Sequence, residues 1–176
     1  MSVLAVTGHR PDKLRVGTMD AYDARVYDGL VDFAYGTIEE EAPTLVVTGM
    51  ALGWDQAVAH ACATAGLPFI AAVPFKGQDE KWPPKSRKYY YWLLNQAREV
   101  RTVSEGGYSV QKLHARNRWM VENADSLLAL WNGSEGGTAG CVRYATKQGK
   151  PITNVWGRWL AHTAQHSVGT ATLPLI

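Results

Sequence analysis

The stretch that most constrains the fold is residues 110–145, where two helical patterns flank an apolar run and a glycine-rich turn. Residues 110–124 repeat apolar side chains at helical spacing. Residues 126–130 are a short, continuous apolar run, which is typical of a strand that helices cover on both faces. Residues 132–138 form the turn, and residues 139–148 resume a helical pattern. Together these patterns predict a strand near the centre of a parallel sheet, between two helices of the chain.

The first of these helices carries a polar side chain on its predicted packing face. Because residues three and four apart share one side of a helix, Asn117 lies on the same face as the apolar residues. Those apolar residues are Val110, Leu113, Met120, Val121 and Ala124. We therefore expect Asn117 to point to the interior.

Two earlier turns repeat the arrangement of an apolar strand followed by a polar, glycine-bearing turn. Residues 3–7 lead into Gly8, His9 and Arg10, and residues 45–48 lead into the second turn. Ligands of open parallel sheets bind at the carboxyl ends of the strands, and glycine turns at helix N-termini favour anions. A single Gly-Gly-Thr turn could be an ordinary loop, but three such turns predict one crevice. Its nucleotide- or phosphate-binding residues are predicted to be Thr7, Gly8, His9, Arg10, Gly49, Met50, Gly53, Asn117, Gly136, Gly137 and Thr138.

The helix predicted over residues 54–65 begins at the second of these turns. Its apolar face leaves Gln56 and His60 on the opposite, exposed side. Asp55 lies in the first turn, where a carboxylate either stabilises the helix dipole or contacts a ligand. Both roles for Asp55 remain open from the sequence.

An irregular, aromatic and charged loop follows the third predicted strand, residues 68–73. It is either a rim of the same crevice or a solvent loop held by its prolines. The expected rim residues are Phe75, Gln78 and Trp82.

Composition restricts the class of protein. The chain has 176 residues, with 18 basic and 16 acidic side chains and a net charge of +2, which argues against a nucleic-acid binder that works by bulk charge. Cys62 and Cys141 both lie in apolar helical contexts, so no disulfide framework is expected. No apolar run is long enough to cross a bilayer, and we expect a cytoplasmic protein. The scattered histidines predict no metal site, and no cofactor is expected.

The chain length predicts one domain over residues 1–156, including a long helix over residues 19–41. Residues 157–176 are weakly patterned and are predicted to form a tail that docks on a neighbouring subunit or frays. The run from Tyr89 to Trp92 either covers the sheet or forms the surface of a homo-oligomer, a dimer or larger.

Four segments of the chain form a recognisable set, and they are TGHRPDKL, VVTGMALGWDQAVAHACATAGLPFIAAVP, HARNRWMVENADSLLALW and EGGTAGCVRYATKQGKPI. Together they resemble the SLOG superfamily, the Rossmann-like group named for the Smf/DprA and Lonely Guy proteins. The resemblance extends over residues 3–155 and is strongest to the YpsA-like branch. It implies a single doubly wound α/β domain with a mainly parallel sheet, helices on both faces and a pocket for a nucleotide or nucleotide-derived ligand.

Lonely Guy enzymes hydrolyse the N-glycosidic bond of a nucleoside 5′-monophosphate, and the resemblance to them is incomplete. Arg116 matches the arginine of their HxRK motif, whereas Asn117 replaces its lysine. Gly137 and Thr138 match their phosphate-binding turn. Cys141 stands where their catalytic glutamate is expected, and a thiol is a poor substitute for a carboxylate in this chemistry.

Another carboxylate must therefore act if the chain is an enzyme. The predicted catalytic residues are Arg116 together with the candidate carboxylates Asp55, Glu135 and Asp79. Three functions follow: a nucleotide N-glycosidase or deoxyribosyl-transfer relative, a module that senses or sequesters a nucleotide signal without chemistry, and DNA binding of the DprA kind. DNA binding ranks last because the net charge is small.

Overall fold

The computed structural model describes the backbone of residues 1–168 and the side chains of residues 1–165. Strands and helices alternate through most of this range. The strands are β1 (Val3–Gly8), β2 (Arg15–Val16), β3 (Met19–Asp20), β4 (Leu45–Thr48), β5 (Phe69–Val73), β6 (Glu99–Thr102), β7 (Ser126–Leu130) and β8 (Ile152–Asn154). The helices are α1 (Ala24–Glu41), α2 (Trp54–Ala65), α3 (Pro84–Gln96), α4 (Val110–Glu122), α5 (Gly137–Lys147) and α6 (Trp156–Val168), and a short 3-10 helix spans Pro11–Lys13.

The central sheet has six strands in the order β6-β5-β4-β1-β7-β8, and all its pairings are parallel. The chain winds outward from β1 to β6 and then returns to the other side of β1 for β7 and β8. The strand order therefore reverses between β1 and β7, which is where ligands bind in open α/β sheets. This architecture confirms the predicted doubly wound, Rossmann-like fold.

Two apolar layers cover the sheet because alternate strand residues point to opposite faces. On one face, Val6 and Val46 pack with residues of α1, α2, α3 and α6, including Trp54 and Trp159. On the other face, Ala5 and Val47 pack with residues of α4 and α5. Both faces of the central strands are thus buried, as their continuous apolar runs predicted.

The structure corrects the predicted start of the first helix. Residues 15–20 form the β2–β3 hairpin, whose turn contains Gly17 at a φ of +60°. Helix α1 begins only at Ala24, where the Asp23 side chain accepts a hydrogen bond from the backbone N–H of Arg25.

Part of the predicted tail is a helix that packs on its own chain. Helix α6 spans Trp156–Val168, and its Trp159 is buried against Phe33 of α1. The predicted docking of residues 169–176 on a neighbour lies outside the described residues. No helix in the described part of the chain is both long and apolar enough to cross a membrane.

Helix α2 is buried more completely than its sequence pattern indicated. Gln56, predicted to be exposed, is buried and donates from Nε2 to the Met50 carbonyl at 3.1 Å. His60 is half-buried, and its Nδ1 lies 2.6 Å from the Tyr89 hydroxyl. The first turns of α2 are therefore buried all round, whereas Thr64 and Ala65 at its C-terminal end are exposed.

Candidate functional site

A cavity of about 640 Å³ opens at the carboxyl edge of the sheet, between the ends of β1 and β7. Its walls come from the turn after β1, from Ala51 and Asp55 beyond β4, from the first turns of α4, and from residues 134–138, which lead into α5 and include its first two residues. Cavities of this size commonly hold small ligands. The three predicted turns thus approach one another, although each contributes differently.

The turn after β1 is held in place by the loop after β7. The backbone N–H of His9 donates to the Leu130 carbonyl at 3.2 Å, and its ring Nε2 lies 2.8 Å from Asn132 Oδ1. Burial lowers the pKa of His9, which favours its neutral ring. His9 therefore positions the turn, whereas Arg10 is exposed and lines the cavity.

A second connection brings a lysine to the cavity wall. Lys13 Nζ donates to Ser134 Oγ at 2.9 Å, so the 3-10 helix and the β7–α5 loop are joined directly. Lys13 and Arg10 both line the cavity and place two cationic side chains there. An anionic ligand group would be attracted to this wall.

The N-terminus of α5 forms the adjacent wall. Gly136 precedes the helix at a φ of +142°, which side chains rarely adopt, and no side chain over residues 1–165 caps the helix. Thr138 Oγ1 donates to the Gly8 carbonyl at 3.0 Å, which fixes the first turn of α5 to the end of β1. The first backbone N–H groups of a helix lack partners within it and carry its positive dipole end. The turn therefore presents amide donors to the cavity.

The turn after β4 packs behind the lining of the cavity. Met50 is buried with a φ of +58°, and its carbonyl accepts from Gln78 Nε2 at 3.0 Å. Gly53 has a φ of +96° and packs so closely on the His9 carbonyl that an added Cβ would lie 2.6 Å from it. Gly49, Met50 and Gly53 are not among the lining residues, so of the predicted binding residues in this turn none reaches the cavity.

Arg116 reaches the cavity floor from α4. Its side chain is buried, and it donates to the Gly49 carbonyl and, at 2.8 Å, to Asn117 Oδ1. Gly49 has no room for a side chain, because an added Cβ would collide with the Arg116 guanidinium and lie 2.9 Å from Asp55 Oδ2. Burial lowers the pKa of Arg116, while the charge of Asp55 raises it.

Asp55 is a buried carboxylate in the cavity wall. Burial raises its pKa to about 6, although the charge of Arg116 lowers it. Its Oδ2 accepts from the Ala51 N–H at 3.4 Å, and its Oδ1 has no hydrogen-bond partner among the residues that the structure describes. An unpaired, buried carboxylate oxygen is costly, and such groups cluster at functional sites.

The other candidate carboxylates lie in different surroundings. Glu135 lines the cavity, but its side chain is 83% exposed and pairs with Arg143 at 3.0 Å. Asp79 is buried outside the cavity lining and pairs with Arg87 at 2.9 Å. Asp55 is therefore the carboxylate that combines burial with access to the cavity.

Cys141 lies behind the wall of the site and not in its lining. It is buried, and burial raises the pKa of its thiol to about 11, so the thiol stays uncharged near neutral pH. The absence of a carboxylate at this position of α5 is thus not compensated by a thiolate.

The predicted rim lies elsewhere. Phe75 is buried, Trp82 packs against Tyr90, and neither these residues nor Gln78 line the cavity. The cavity has instead a wall formed by Val110, Leu113 and His114 of α4, which the sequence pattern did not indicate as site residues. The helical spacing predicts that Val110 and Leu113 lie on the packing face, but Val110 is 49% exposed and Leu113 is half-buried.

Over residues 1–165, no group of three or more acidic, histidine or cysteine side chains is placed to hold a metal ion.

Comparison with known proteins identifies the family. The YpsA family model, described as the YspA SLOG family, matches residues 4–155. The SPbeta prophage-derived protein YoqJ of Bacillus subtilis (strain 168) is 30% identical over 139 residues, which are 70% of this chain and 81% of YoqJ.

Two solved structures share the fold at low sequence identity. DNA processing protein A from Streptococcus pneumoniae gives a TM-score of 0.59 at 16% identity, over 98% of this chain and 58% of that one. The molybdenum cofactor binding protein from Rippkaea orientalis gives 0.54 at 16% identity, over 94% and 85%. Since the family model matches nearly the whole described chain, this protein belongs to the YpsA (YspA SLOG) family.

Proposed function

We propose that the cavity binds a nucleotide or nucleotide-derived ligand, with its phosphate at the N-terminus of α5. The observation that carries the proposal is the uncapped first turn of α5, which opens to the same cavity as Arg10 and Lys13. Helix amides and flexible cations together form a common phosphate-binding arrangement. The Rippkaea structure supports a ligand-binding role for this fold, since that protein is named for binding a cofactor.

Three carboxylates line the cavity, and each lies near a cation. Asp12 lies between Arg10 and Lys13 in the chain, and the exposed Glu135 carboxylate pairs with Arg143. Asp55, with its pKa raised to about 6, is only partly ionised in mildly acidic solution. Arg116 remains cationic on the cavity floor, beside the place where the sugar of a bound nucleotide would lie.

A charge placed in the first turn of α5 tests the proposal. Gly137 has nothing within 4 Å of an added Cβ, so Gly137→Asp fits sterically and puts a carboxylate at the phosphate site. We expect it to weaken binding of AMP, GMP, CMP or UMP by about tenfold or more, measured by titration calorimetry. Gly157→Asp is the matched control, because Gly157 is equally open and lies in the first turn of α6.

The proposal fails if the wild-type chain binds none of the four monophosphates. It also fails if Gly137→Asp leaves their affinity unchanged, or if Gly157→Asp weakens it equally. In the last case the variants would report a long-range effect of charge and not occupation of the α5 turn.

A second candidate function is hydrolysis of the N-glycosidic bond, favoured by the unpaired Oδ1 of Asp55. In this reaction water adds across the bond: its hydroxyl goes to the anomeric carbon and its proton to the departing base. The Asp55 carboxylate would stabilise positive charge on the sugar or accept the proton of the attacking water. Arg116 would hold the sugar and phosphate in position.

Release of free base from the four monophosphates distinguishes catalysis from simple binding. We expect Asp55→Asn to abolish base release and to change the dissociation constant by less than about threefold, since the amide keeps the carboxylate's shape. Asp79→Asn, a buried aspartate outside the cavity, is the control and should keep full activity. Tight binding without base release would instead identify a sensor or sequestering module.

DNA binding of the DprA kind is the remaining alternative. The likeness to DNA processing protein A lies in the fold, and this chain carries a net charge of only +2. We expect no salt-sensitive binding of single-stranded DNA in fluorescence anisotropy at physiological salt. Binding that weakens steeply with salt would favour the DNA alternative over a nucleotide.

A further inference from the structure

One face of α4 forms a continuous wall of the cavity. Val110, Leu113, His114 and Asn117 are spaced three or four residues apart, and all four line the cavity. At 1.5 Å per residue, they span about 10 Å of wall. The first part of this wall is apolar and the last is polar.

The polar end adjoins the proposed phosphate site. Asn117 Nδ2 donates to the Gly137 carbonyl at 3.4 Å, so this part of α4 touches the first turn of α5. Val110 begins α4 at the opposite end of the wall, and its side chain is 49% exposed. A ligand that extends from the α5 turn along α4 would therefore meet an amide first and apolar side chains last.

Within the described part of the chain, the apolar end of this wall has no packing role in the core. Val110 is 49% exposed and Leu113 is half-buried, and neither belongs to the two apolar clusters of the sheet. Exposed apolar side chains in a concave surface are typical of ligand contacts. Burying them beneath a flat ring would remove apolar surface from water and favour binding.

We infer that Val110 and Leu113 form the subsite for the heterocyclic base of the ligand, and that His114 lies alongside its polar edge. This inference rests on the proposed phosphate site and extends it. An imidazole offers one hydrogen-bond donor and one acceptor, which suits the edge of a nucleobase. The ligand class is then a nucleotide with its base attached, in preference to a sugar phosphate.

Two substitutions that make the subsite polar provide the test. Leu113→Asn and Val110→Ser are titrated with the tightest-binding of AMP, GMP, CMP and UMP, and in parallel with ribose 5-phosphate, which lacks a base. We expect Leu113→Asn to raise the dissociation constant of the nucleotide about tenfold, Val110→Ser to raise it about threefold, and both to leave that of ribose 5-phosphate unchanged. Val100→Ser is the matched control, because Val100 is 47% exposed on β6 outside the cavity.

The outcomes separate this inference from the proposed function. Equal losses for nucleotide and ribose 5-phosphate, or no loss for either, overturn the base subsite and leave the phosphate site in place. The same conclusion follows if the wild-type chain binds ribose 5-phosphate as tightly as every nucleotide. Binding of neither ligand class overturns the phosphate site itself. Thermal unfolding of each variant shows whether it folds. If either Leu113→Asn or Val110→Ser fails to fold, the titration of the other variant decides the result.

Discussion

Replacing Asp55 by asparagine should stabilise the protein, and the gain should depend on pH. Asparagine resembles the protonated carboxyl in shape and removes its ionisation. Burial raises the pKa of Asp55 from 3.8 to about 6, which means that the fold disfavours the charged form. At 1.36 kcal/mol per pKa unit, ionised Asp55 lowers the free energy of unfolding by roughly 3 kcal/mol.

The sign of the pH dependence follows from proton binding. Between about pH 4 and pH 6 the folded chain holds a proton on Asp55 that the unfolded chain has released, so the stability contributed by Asp55 falls as the pH rises. Below this range both states are protonated, and above it both are ionised. The stability difference between Asp55→Asn and wild type should therefore be near zero at pH 4 and reach roughly 3 kcal/mol in favour of the variant above pH 7.

Urea unfolding at several pH values measures this difference. The chain has seven tryptophans, so fluorescence follows the transition directly. Taking the difference between the two proteins cancels the titration of groups that they share, such as Asp23, whose pKa Arg25 holds near 2. A difference that stays constant across the pH range would refute the reasoning, as would a variant that is less stable than wild type above pH 7.

Two further predictions concern the support and the surface of the fold. Gly49→Ala should destabilise the protein by about 1–3 kcal/mol in thermal unfolding and weaken nucleotide binding, because the added Cβ displaces the Arg116 guanidinium. Gly36→Ala, in an open position of α1, is the control and should be neutral or stabilising in the same assay. We also expect self-association through α3, where Trp92 is 43% exposed. Light scattering should give the wild-type protein a mass above the 19.3 kDa of one chain, and Trp92→Ser should reduce that mass. A wild-type monomer would contradict this prediction.

The sheet was predictable because its strands are short apolar runs that end in glycine turns. Such runs need helices on both faces, which largely determines the fold class. Helix α6 could have been predicted from its sequence, because Trp156, Trp159 and Thr163 recur at helical spacing. Trp159 and Thr163 are buried in the structure. The β2–β3 hairpin was missed because its strands have only two residues each.

The site was less predictable because spacing along a helix does not specify what the helix faces. Val110 and Leu113 have the same periodicity as core residues, but they lie on the cavity wall. Likewise, the sequence could not show that Asp79 pairs with Arg87, a contact between a loop and a helix. The sequence names Asp55 as one of three candidate carboxylates, beside Asp79 and Glu135. Only its burial in the cavity wall, which depends on tertiary structure, distinguishes it from the other two.

A crystal structure with the tightest-binding nucleoside monophosphate tests the central claim most directly. We predict that the phosphate oxygens lie about 3 Å from the backbone nitrogens of Gly137 and Thr138, with Lys13 or Arg10 beside them. The base should lie against α4, on the side of Val110 and Leu113. A phosphate bound away from the α5 turn, for example at the exposed guanidinium of Arg143, would contradict the account.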